Sequence, residues 1–335
     1  MRTLVSVPPR AQRAPKGSSS ARARIAFIAA VTVGCLVATQ GASQAAPPES
    51  PALGQSDQSV TDALSAVGIK VRADGWIEYD SVLRRAGVSG KTSRVAGVRG
   101  KDGACALSGS AQASSGSSRT TYTEEVAYNP ATCEFDVLVG DLTAEQAATL
   151  RSLTGAAASD VSSTKGAADA SSPRGTTGDN AAAATYSRYL KTSWIDPIDI
   201  TISSQSVGLR WSNTQWLNWA YQRDSFKGCI GSVCLDETYI VSGSDSLATL
   251  SDGWTKNANV HFQNVSFALW VVAILGPTGW AACGFPSSSQ ADFYHTDSVT
   301  GRTSGASSWN WNDSKSGACT NLVHHGDETG ASYPF

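Results

Sequence analysis

The sequence predicts a mainly β protein in which a C-terminal antiparallel β-sandwich or barrel is preceded by a small α+β disulfide-bonded domain. Three observations predict it. From Tyr186 to Phe335 the apolar segments are short and separated by Gly, Ser, Asn and Asp, the spacing of an antiparallel sandwich or barrel. Residues 59–153 mix helical and strand periodicities and hold two cysteines. Between the two parts, from Thr154 to Thr185, 24 of 32 residues are Ala, Gly, Ser or Thr, too little apolar surface to offset ordering entropy, so 154–185 reads as a flexible linker.

In the first part Val60, Ala63, Leu64 and Val67 recur at helical spacing before Gly68. Asp74-Gly75 reads as a turn between strands at 69–71 and 76–79. Three further strands are expected at 104–112, 119–128 and 133–139. A helix over 143–153 opens with Thr143 and Gln146 at capping-box spacing. In the second part strands are expected at 198–202, 207–211, 216–221, 238–241, 260–262, 291–294 and 308–311. The apolar run from Phe267 to Leu275 ends at Gly276-Pro277 and reads as a fully buried central strand.

Residues 1–45 read as a secretory signal peptide. Six basic side chains and no acid precede the apolar run from Ile25 to Thr39, and Ser43-Gln44-Ala45 supplies a small-x-small cleavage pattern. At 15 residues the run is shorter than a transmembrane span. Leu36, Val37 and Ala38 after Cys35 argue against a lipid anchor. Residues 46–58, with three prolines, read as disordered. The expected localisation is secreted or extracellular, with no transmembrane segment after signal removal. The Ala, Gly, Ser and Arg bias, with only nine lysines, suggests a GC-rich bacterial genome.

Without the leader the chain carries 20 basic and 28 acidic side chains, a net charge of −8. An acidic surface with no Lys/Arg stripe repels phosphate backbones, so nucleic acid is not an expected partner. Six cysteines remain. The domain split pairs Cys105 with Cys133, the short spacing pairs Cys229 with Cys234, and Cys283 is left with Cys319. A zinc site would need closer spacers and reduced thiols, so no metal is expected.

No motif names a reaction and none calls for a cofactor. Gly87-Val88-Ser89-Gly90-Lys91-Thr92 ends like a phosphate-binding loop, but Arg85 stands where the motif needs glycine. Glu124-Glu125 and Asp236-Glu237 are adjacent in expected strands and point to opposite faces, which reads as solvated edge charge rather than a glycosidase pair. Asp196 and Asp199 flank Pro197 as turn-capping acids.

Two candidate sites remain. His324, His325, Asp327 and Glu328 lie within five residues in an expected C-terminal loop and, with His295 and Asp297, supply imidazoles and carboxylates for acid–base or metal-assisted hydrolysis. Trp309 and Trp311 share a strand face among Ser308, Asn310, Asn312 and Asp313, and read as an exposed platform on which sugar rings stack. The function expected is a non-catalytic secreted binding protein for a polysaccharide or cell-envelope glycan. The alternatives are a secreted hydrolase built on His295, His324, His325 and Asp327, and a structural envelope or spore-surface protein.

Overall fold

The computed structural model describes residues 56–101, 103–155, 161–169, 184–230 and 233–331. The leader and residues 46–55 lie outside the described residues, whereas 56–58 open the first helix. In chain order the elements are α1 (Ser56–Ala66), β1 (Ile69–Val71), β2 (Ile77–Tyr79), α2 (Val82–Arg85), β3 (Lys91–Ala96), β4 (Val98–Arg99), β5 (Cys105–Ala113), β6 (Thr120–Asn129), β7 (Glu134–Leu142) and α3 (Ala144–Gly155). They continue with β8 (Val161–Asp169), β9 (Thr185–Ile195), β10 (Thr201–Ser212), β11 (Trp216–Ile230), β12 (Val233–Leu250) and β13 (Gly253–Asn264). The last are α4 (Phe267–Leu275), α5 (Gly279–Ala282), β14 (Ala291–Arg302), β15 (Ser307–Gly317) and β16 (His324–Gly330).

All strand pairs are antiparallel, and they build two layers. One runs β3-β7-β6-β16-β9-β10-β11-β8, with the β1–β2 hairpin joined to the far end of β6. The other runs β12-β13-β14-β15-β5-β4, and the β11–β12 hairpin carries the chain between the two. The inner faces of β9 and β10 pack on β13 and β14, so the protein is a mainly β sandwich. Period-2 patterning explains the packing. Along β14, Ala291, Phe293, His295, Asp297 and Val299 are buried while Tyr294 and Thr296 are exposed. Trp194, Ile202, Val207, Leu209, Trp211, Phe262 and Phe293 fill the space between the layers. Outside β6 and β7, the helices α2 and α3 cover a smaller core of Val82, Leu83, Tyr122, Val126, Leu138 and Leu150.

Several local expectations hold. Helix α1 ends before Gly68, and β1 pairs with β2 across the Asp74-Gly75 turn in the register Ile69 to Tyr79. The capping box is present in both directions, Gln146 N donating to Thr143 Oγ1 at 3.1 Å and Thr143 N to Gln146 Oε1 at 3.0 Å. Disulfides join Cys105 to Cys133 and Cys283 to Cys319. Cys229 and Cys234 face each other in the β11–β12 register, but their side chains lie outside the described residues.

Four expectations are corrected. The first and second parts are not separate domains: β5 pairs with β15 and β6 with β16, so residues 59–153 and 186–331 share one sandwich. Within the expected linker, 161–169 forms β8 against β11, since a backbone row alone can satisfy an open sheet edge; residues 156–160 and 170–183 lie outside the described residues. The run Phe267–Leu275 is helix α4, not a strand. Nine apolar residues fit either, and burial of Phe267, Ala268, Val271 and Leu275 at helical spacing with Leu269 exposed decides it. Finally, Glu124 and Glu125 point to opposite faces as expected, but both are fully buried rather than solvated.

Candidate functional site

Strand β15 builds the centre of the site. Trp309, Trp311, Asp313 and Lys315 all face inward, while Asn310 and Asn312 form the outer face. Trp309 and Trp311 are only 8% and 7% exposed, so they form no open platform. Both indoles instead wall a cleft of about 280 Å³ that lies between the layers where β3, β7, β6 and β16 face β5 and β15. Val95, Val137, Val139 and Leu107 contribute to its apolar lining, and Thr121, Thr123 and Asp327 are among its polar residues. The cleft needs a glycine. The Trp311 ring packs against Gly109, its register partner, and a Cβ there would come within 2.4 Å of the indole. At the other end of β5, the bridge from Cys105 to Cys133 ties the two layers together.

The residues expected in a C-terminal loop form strand β16, paired with β6 on one side and β9 on the other. Alternation sends His325 and Asp327 toward β15, and His324 and Glu328 to the opposite face. His324 sits beside Tyr79, its Nε2 3.7 Å from Glu124 Oε1, and burial lowers its pKa to about 3, so the ring is neutral. Glu124 is occupied otherwise: it accepts from Ser81 Oγ, Val82 N and Leu83 N at 2.6–3.1 Å and caps α2. The structure thus separates His324 from the other histidines.

His325 and His295 do meet, through Asp313. His325 Nε2 and His295 Nδ1 each lie 2.9 Å from Asp313 Oδ2. Burial pushes the Asp313 carboxyl up, but the two imidazoles outweigh it and hold the group well below the usual carboxylate range. Asp297, beside it, moves the other way: burial and then the Asp313 charge raise it well above normal. Asp297 accepts from Thr192 Oγ1 and Gln205 Nε2, both at 3.0 Å. Lys315 completes the row, 3.5 Å from Glu125 and ringed by Tyr128 and Trp194. The sandwich interior is therefore an ionic and hydrogen-bonded chain between two apolar zones.

Ser203 Oγ stands 3.2 Å from His295 Nε2, so Ser203, His295 and Asp313 are connected in the order of a hydrolase triad. All three are 0% exposed, and none lines the cleft. Enclosed in this way, the connection satisfies buried polar groups. Among the described residues no three His, Cys, Asp or Glu side chains converge as metal ligands.

Asp327 is the one member of the expected hydrolytic group that reaches the cleft. Burial raises its pKa to about 7, against the opposing pull of His325 and Thr123, and its Oδ1 has no hydrogen-bond partner among the described residues. That oxygen is itself enclosed, so the carboxyl stands behind the cleft wall and sets its charge near neutrality. The sequence pointed to Asp327 by composition and missed the cleft, whose lining comes from six strands, four within residues 91–142 and two near the C-terminus. Comparison of this chain with protein-family models, with curated proteins and with solved structures finds no match.

Proposed function

We propose that this chain is an exported, non-catalytic binding protein that takes one ring-shaped group with an apolar face into the cleft between its sheets. The observation that carries the reading is the convergence of two inward indoles and an apolar lining on one cavity, with Thr121 and Thr123 in its wall. A ring packs edge or face against indole, and a few placed polar groups fix its orientation, which is the usual division of labour in small-molecule sites. Export rests on the leader-like residues 1–45 and on two disulfides, which persist in oxidising compartments. The expected ligand, a polysaccharide or cell-envelope glycan, fits this cleft through a chain-end sugar ring rather than a chain lying across a flat platform.

The second reading is a hydrolase, favoured by the order Ser203, His295, Asp313. A single experiment separates the two. The protein is titrated calorimetrically with ring compounds while a parallel sample is treated with a fluorophosphonate probe and assayed on small esters. Saturable one-to-one binding, with no labelling of Ser203 and no turnover, is the expected result. Labelling that Ser203→Ala abolishes would establish the hydrolase instead.

A further inference from the structure

The cleft opens beside a second depression of about 710 Å³, and the two share Thr121 and Trp309 in their walls. This outer chamber is polar where the cleft is apolar. Its lining runs through Gln112, the serines of the loop 114–118, Arg119, Asp141 and Arg188. Asp141 is neutralised at the rim, 3.3 Å from Arg119 and hydrogen-bonded by Thr121. Arg188 has no such partner.

Arg188 faces inward from β9 and is 3% exposed, yet it makes no ion pair among the described residues. Its guanidinium lies 5.3 Å from the centre of the Trp309 ring. Three of its N–H groups are used: Nε toward Ser307 Oγ at 3.3 Å, Nη1 toward the Arg119 carbonyl at 3.4 Å and Nη2 to the Ser117 carbonyl at 2.9 Å. One N–H on each terminal nitrogen is left without an acceptor among the described residues. Buried cations are ordinarily paired, because removing a charge from water is costly unless an opposite charge replaces the lost solvation. A guanidinium held by two carbonyls, placed over an aromatic ring and facing a cavity of net positive lining is built to accept a planar anion.

We propose that the ligand's ring carries a carboxylate, which Arg188 binds at the mouth while the ring lies in the cleft against Trp309 and Trp311. The proposal rests on the binding reading above and specifies its ligand class. Two sources share this chemistry: a uronic acid at a glycan end, and a free alicyclic or aromatic acid.

The test is calorimetric titration of the full chain with matched pairs, glucuronate against methyl glucoside, and cyclohexanecarboxylate against its methyl ester. At least one acid is expected to bind tenfold or more tightly than its neutral partner, and which pair shows this identifies the source. Arg188→Gln is expected to erase the preference and leave the weak affinity for the neutral ring, whereas Arg188→Lys retains part of it. The wild-type acid–ester comparison needs no variant, so loss of folding in Arg188→Gln does not obscure the answer. Equal affinity for acid and neutral partners, or a preference that survives Arg188→Gln, would overturn the carboxylate assignment while leaving the cleft reading intact. Absence of binding by every ring compound, charged or neutral, would overturn both.

Discussion

Trp311 serves core and cleft at once. Its indole is stacked on His325 at 4.6 Å and pressed against Gly109, so truncation removes a packed contact and a wall of the cavity together. Trp311→Ala is expected to cost ~3–5 kcal/mol, the range for a buried aromatic, which a shift of the denaturation midpoint measures. An unchanged midpoint would place the ring in solvent. Gly109→Ala is the subtler probe, since a methyl must displace the indole; about 1–3 kcal/mol of strain is expected, with weaker ring binding. The alternation in Ser308–Lys315 told correctly that Trp309 and Trp311 share a face. Which face is buried was not legible there, because Asp313 beside the tryptophans reads as a sign of exposure. In the fold that carboxylate is paired with two imidazoles, and the uncharged Asn310 and Asn312 meet the solvent.

At the scale of the element, legibility follows the range of the interactions. The capping box of α3 and the Asp74-Gly75 hairpin depend on neighbours in sequence and were readable. Strand β16 was not, since HHGDETG contains no large apolar residue and its burial comes from partners distant in sequence: the ladders to β6 and β9, Asp313 on β15, and the rings of Tyr79, Trp194 and Trp311. Helix α2 is a similar case: four residues are too short to be stable alone, and Glu124 from another element holds its first N–H groups. Glu124→Ala should therefore leave two amides and Ser81 without their buried acceptor, at on the order of 2–3 kcal/mol, seen as a lower melting temperature and fast amide exchange confined to α2. Uniform exchange rates across the outer core would show that the cap is dispensable. Replacing Cys105 and Cys133 by Ala should cost on the order of 3 kcal/mol in the chain-entropy model, and more if the layers separate at the cleft.

For the whole molecule the joint sandwich predicts cooperative behaviour that two domains would not show. Ladders β5–β15 and β6–β16 cross the boundary that composition suggests, so one unfolding transition is expected, and residues 59–153 expressed alone should lack the dispersed amide spectrum of a fold. Two calorimetric transitions would restore the separate domains. The pH dependence follows from the buried groups. Asp327 titrates about 7 and Asp196 about 6 in the folded chain, both raised by burial, against about 3.9 when unfolded. Between those values the native state holds the extra protons, so stability falls as pH rises through each window. His324 acts in the opposite sense, its folded pKa about 3 lying below the unfolded value of about 6.5, and removes stability as pH falls. Two carboxyls outweigh one imidazole, so the stability these three groups contribute declines from about pH 4 toward pH 8. Asp327→Asn should raise the melting temperature at pH 8, by on the order of 2–4 kcal/mol in stability, and change little at pH 4.

The claim on which the functional account depends is that the space between β5, β15, β3 and β7 receives the ligand. Ala111 is exposed on the same cleft wall as Trp309, its register partner, so a larger side chain there fills the opening without entering the core. The decisive measurement is the affinity of Ala111→Phe for whichever ring compound the wild-type protein binds, taken with its melting temperature. The account requires an unchanged melting temperature and affinity reduced at least tenfold; a folded Ala111→Phe that binds as tightly as wild type would contradict it.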